Sequence, residues 1–116
     1  MAIVVLQARP QKKDVLLARK DHKNYIKITA DLSQELIAIG GEYHADAEKV
    51  LLEKYDSRQK DIWGGGYDIN LDQFETLAII NIRQPENPSM EILNGGIRKN
   101  FFKLVNQILK DIKSLL

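Results

Sequence analysis

The chain contains no cysteine, which excludes disulfides, thiolate zinc sites and cysteine nucleophiles together. It has only three prolines and seven glycines in 116 residues, too few for a long disordered linker. No apolar run approaches the roughly 20 residues of a membrane span. The opening MAIVVLQARPQKK puts its short apolar run before its basic residues, the reverse order of a secretory leader. Strong net charge is also missing: 17 Lys and Arg against 16 Asp and Glu leave +1, which argues against a surface devoted to nucleic acid. These absences together predict a cytoplasmic protein with neither membrane nor nucleic-acid partners.

What is present suits a single α+β domain over residues 1–116, with 44% hydrophobic and 28% charged residues and enough length for one core. The charge is unevenly spread. Residues 1–30 carry seven bases and two acids, residues 31–70 four bases and nine acids, and residues 71–116 six bases and five acids. In a compact fold the first two regions neutralise each other, or they dock unlike surfaces of two protomers.

The apolar periodicity gives the element order. AIVVL at 2–6 predicts a strand, and Pro10 stands where a helix running to about Lys23 can begin. From Tyr25 to Leu32 apolar and polar residues alternate, and LIAIG follows at 36–40, so the two read as an antiparallel hairpin ended by Gly40 and Gly41. His44 to Tyr55 returns to helical spacing. DIWGGGYDINL predicts a strand whose glycines signal a bulge, a bend or a close approach, and TLAIINIR at 76–83 predicts another strand. QPENPS at 84–89 is a loop, and Ile97, Phe101, Leu104, Val105, Ile108, Ile112 and Leu116 mark an amphipathic C-terminal helix. The order β-α-β-β-α-β-β-α predicts a mainly antiparallel sheet of four to five strands with three helices, covering one face.

GGEYHADAEKVLLE at 40–53, SRQKDIWGGG at 57–66 and INIRQPENPSMEI at 80–92 together resemble a family of small bacterial and archaeal proteins grouped as a domain of unknown function. The likeness runs from about Ile26 through the C-terminal helix. It implies a shared fold and no particular activity. Family members commonly read Ile-Asn-Ile-Arg-Pro in the third motif, whereas Gln84 stands between Arg83 and Pro85 here.

Three places carry candidate chemistry. In GGEYHADAE, an extended backbone would put Glu42, His44, Asp46 and Glu48 on one face. A helix starting near His44 would instead pair His44 with Glu48 and turn Asp46 away. The first arrangement is a ladder able to hold a divalent metal, and one chemical reading of these residues is acid–base work by His44, Asp46 and Glu42. A divalent metal held by His44, Glu48 and Asp46 is the other chemical reading, with further ligands needed from Asp61 or Asp68. The plain alternative is a helix start whose acids complement the dipole. Trp63, beside three glycines, is either a flat wall for a ligand or a core anchor. Arg83 and Asn87 would recognise an acidic or amide group, or else fasten their loop through an ion pair to Asp46, Asp61 or Glu91.

Two principal functions follow. One is a small-molecule or protein-binding domain with a polar pocket formed by residues 40–48, 61–66 and 81–89, with Trp63, Arg83 and Asn87 as its binding residues. The other is a metal-dependent, hydrolase-like enzyme using His44. A structural homodimer built on the C-terminal helix is the third reading. No cofactor is identifiable.

Overall fold

The computed structural model describes residues 2–116. Its elements are β1 (Ile3–Leu6), α1 (Lys12–Ala18), β2 (Tyr25–Asp31), β3 (Leu36–Gly40), α2 (His44–Lys54), β4 (Ile62–Asp68), β5 (Gln73–Glu75) and α3 (Gly95–Leu109). Short 3-10 turns occupy Gln59–Asp61, Ile79–Asn81 and Ile112–Leu115. The five strands form one sheet in the order β1-β3-β2-β4-β5, and every neighbouring pair is antiparallel. This is the α+β class and the element order that the periodicity predicts. Among the described residues no helix is long and apolar enough to cross a membrane.

Local chemistry explains the hairpin. The Asp31 carboxylate accepts hydrogen bonds from the Ser33 and Gln34 main-chain N–H groups, an arrangement that turns the chain within a few residues. β3 then returns with Ile37 and Ile39 on one face of the sheet and Leu36 and Ala38 on the other. Gly40 and Gly41 both have φ of +93°, and a Cβ on Gly40 would lie 2.1 Å from the Ala2 carbonyl oxygen. Only glycine fits this exit from the sheet.

Both faces of the sheet are covered, which corrects the expectation of one. α1 and α3 pack on the first face, where Val15, Phe101, Leu104, Val105, Ile108 and Leu109 meet Ile26, Ile28, Ile37, Ile39, Trp63 and Tyr67. Fully burying each large apolar side chain contributes about 1.5–3 kcal/mol. The apolar stripe of α3, offered by the sequence to a second copy, is thus occupied within the chain. α2 packs on the opposite face, with Ala47 and Leu51 against Leu36, Ala38 and Ile62. Runs of apolar residues at consecutive positions in β3, all five of them buried, are the signature of a strand enclosed on both sides.

Three expected boundaries move. The first helix stops at Ala18 rather than near Lys23, because the residues beyond it are charged or polar and offer the core no apolar contact. The fifth strand is Gln73–Glu75, inside what reads as a polar link. TLAIINIR is not a strand: it passes through the turn at Ile79–Asn81 and ends in an isolated bridge between Arg83 and Asn87. Asn81 accounts for the difference. Its side-chain oxygen accepts from Gly64 N–H at 2.8 Å and its amide donates to the Gly64 carbonyl at 2.9 Å, so one side chain takes the place of a neighbouring strand at this point of β4.

Candidate functional site

The triple glycine lies inside a regular strand and serves close packing on both faces. A Cβ on Gly64 would stand 2.6 Å from Ala78 Cβ and 3.0 Å from His44 Cδ2. One on Gly65 would meet Phe101 and the Glu75 carbonyl, and one on Gly66 would meet the Tyr25 ring. Of the three sequence readings for these glycines, close approach is the one realised, and it is what lets His44 and Ala78 sit directly on the sheet.

His44 opens α2 behind Tyr43, whose side chain makes no capping hydrogen bond. It is buried, and its Nε2 lies 2.6 Å from the Gly65 carbonyl oxygen. A carbonyl only accepts, so Nε2 carries the proton and Nδ1 carries the lone pair. Burial pushes the His44 pKa down to about 4; the hydrogen bond to Gly65 opposes this, and Lys27 and His22 add to it by like charge. The imidazole is therefore neutral near pH 7. Nδ1 makes no hydrogen bond among the described residues, yet it is not among the fully buried unpaired side-chain atoms, which are Thr29 Oγ1, Glu48 Oε2 and Arg83 Nε.

That cavity has a volume of about 300 Å³ and is bounded by Lys27, Tyr43, His44, Ala45, Leu77, Ala78, Ile79, Ile80 and Met90. It lies between the start of α2 and the irregular segment that follows β5. Its lining is mainly apolar, where the sequence predicts a polar pocket. Ile79 is 73% exposed and Tyr43 62%, so large apolar side chains stand at its rim. Lys27 supplies the one charge in the lining, and it forms no ion pair among the described residues.

The other expected site residues lie elsewhere or face inward. Glu42 is exposed and Asp46 half-buried in the first turn of α2; neither lines the cavity. Among the described residues no group of three or more His, Asp and Glu side chains is placed to hold a metal ion. Glu48 is half-buried and its pKa is raised by burial, against the pull of Arg83. Asp61 and Asp68 are half-buried at the two ends of β4.

Trp63, Arg83 and Asn87 do come together, as an internal latch. The Arg83 guanidinium lies 3.9 Å from the centre of the Trp63 ring. Its Nη1 donates to the Gln59 and Lys60 carbonyls and its Nη2 to those of Ile62 and Ile80. Burial lowers the Arg83 pKa, while Glu48 and Glu86 oppose the shift. Asn87 donates to the carbonyls of Asn81, Ser89 and Glu91 and accepts from Leu93 N–H. Asn81, besides bonding Gly64, donates to Thr76 and Met90. The two asparagines and the arginine thus hold residues 76–93 against β4 and shape one wall of the cavity.

Sequence reasoning missed Lys27, residues 77–80 and Met90 as lining, and Asn81 as the organiser. One signal was available: TLAII carries apolar residues on both parities, more than a strand with one solvent face can hide.

Comparison with curated proteins and with solved structures found no match. The profile of one family, described as Protein of unknown function (DUF5674), matches residues 3–108. That match spans nearly the whole domain just described, and the chain belongs to this family.

Proposed function

We propose that the protein is a cytoplasmic binding domain that takes up a small, mostly apolar molecule in the cavity beside His44. The observation that carries this reading is the cavity itself, about 300 Å³ and walled by Leu77, Ala78, Ile79, Ile80 and Met90 with a buried imidazole at one side. That size lies at the small end of ligand pockets, and an apolar wall with a few convergent polar groups is their usual composition. The exposed Ile79 and Tyr43 side chains support it further, since large apolar groups held in water at the mouth of a cavity gain free energy when a ligand covers them.

The test is a titration followed by two-dimensional amide NMR, with cyclohexylmethanol as an uncharged apolar probe. The expected result is saturable shifts confined to residues 43–45, 77–80 and 90. Ala45 lines the cavity from an exposed position, so Ala45→Trp fills the space without disturbing the core and should abolish those shifts. Shifts scattered over the surface, or unaffected by Ala45→Trp, would overturn the reading.

A further inference from the structure

Resting on that reading, we infer that the molecule bound beside His44 is a small carboxylic acid, bound as its anion with its apolar body toward residues 77–80 and its carboxylate toward Lys27. No acid lines the cavity, and the Lys27 ammonium is its one charged group. Lys27 has no carboxylate partner among the described residues; its ammonium lies 5.6 Å from the centre of the Tyr25 ring. An ammonium beside an apolar wall draws an anion more strongly than one in open water, because the wall lowers the local dielectric.

A second feature points the same way. The cavity lining includes Tyr43, His44 and Ala45, which are the cap and first two residues of α2. The N–H groups of His44 and Ala45 have no hydrogen-bond partner among the described residues, and Tyr43 supplies no side-chain acceptor. A carboxylate there would accept from these donors and meet the positive end of an 11-residue helix. His44 is neutral at pH 7, so Lys27 and the end of the helix are the positive groups in the lining. A phosphate is the poorer fit, since the lining holds no arginine to grip it with two parallel bonds.

Three probes of one shape separate this inference from the reading beneath it: cyclohexanecarboxylate, cyclohexylmethanol and cyclohexylmethylamine, titrated at pH 7 and followed by the same amide shifts. The expected order of affinity is carboxylate, then alcohol, then amine, with the carboxylate about five- to tenfold tighter than the alcohol. Lys27 is half-buried on β2, and Lys27→Met should remove most of the carboxylate's advantage over the alcohol measured in the same variant; Lys27→Arg should keep the preference, and an advantage undiminished in Lys27→Met would overturn the pairing with Lys27. Equal binding of carboxylate and alcohol to the parent protein, both blocked by Ala45→Trp, would overturn the carboxylate assignment and leave the cavity as an apolar site. Absence of cavity shifts with all three probes would overturn the binding function itself.

Discussion

The guanidinium of Arg83 lies over the indole of Trp63, 3.9 Å from the ring centre, while its two terminal nitrogens donate to four main-chain carbonyls. A planar cation that stacks on one face and donates along its edge joins three pieces of chain at one point: the turn before β4, β4 itself and the segment after β5. This joint holds the cavity wall, and Arg83, a residue expected to bind a ligand, is not among those that line the cavity.

Arg83→Lys keeps the charge and removes the fork, so at most one or two of the four carbonyls stay bonded. The expected loss is about 1–3 kcal/mol of unfolding free energy, measured by urea titration. Trp63 is the one tryptophan, so its fluorescence reports both the unfolding and, in the folded variant, the loss of the stacked cation. A variant as stable as the parent, with unchanged emission, would mean that the latch contributes nothing.

Asn81→Asp is nearly isosteric but lacks the N–H donors that reach Gly64, Thr76 and Met90. Its oxygen still accepts from Gly64 N–H, while the new charge faces three carbonyls in a buried place. We expect destabilisation of roughly 2–4 kcal/mol and faster hydrogen exchange across residues 76–93. Exchange unchanged in that segment would show that something other than Asn81 holds it to β4.

His44 makes stability depend on pH in a defined window. In the unfolded chain it titrates near its usual 6.5, whereas the folded imidazole resists protonation down to about 4. Below pH 6.5 the unfolded state therefore binds the proton first, and stability falls with pH until the folded ring is protonated too; above pH 6.5 this group adds no slope. The decline should total about 3 kcal/mol between those limits. Urea unfolding at several pH values measures it, and His44→Gln, whose amide still donates to the Gly65 carbonyl, should remove that component. Parallel declines in both proteins would assign it to other groups.

Much of the fold is legible in the residues. The alternation from Tyr25 to Leu32, the glycine pair at 40 and 41 and the three- and four-residue steps from Ile97 to Ile108 give the elements they predict, because each encodes its own local geometry, while Ile112 and Leu116 lie beyond the end of α3 at Leu109. TLAIINIR misleads for the opposite reason. Its composition suits a strand, but the segment meets the β4 edge through the side chain of its own Asn81, bonded to Gly64, rather than through its main chain. Which helix covers which sheet face escapes for a related reason: an apolar helix face has no mark that says which side of a sheet it will cover.

The candidate site divides in the same way. The start of a helix at His44 and the crowding around WGGG can be read from the chain, since both follow from spacing and from the absence of a Cβ. The meeting of Lys27 with Met90, and the turning of Arg83 and Asn87 inward, cannot, because they join positions distant in sequence. The sequence by itself determined the fold class and the junction where His44 stands, through short-range periodicity and backbone freedom. Only the tertiary structure decided which polar groups are spent on main-chain partners and which face a cavity, because hydrogen-bond satisfaction is settled among segments that meet only when the chain is packed.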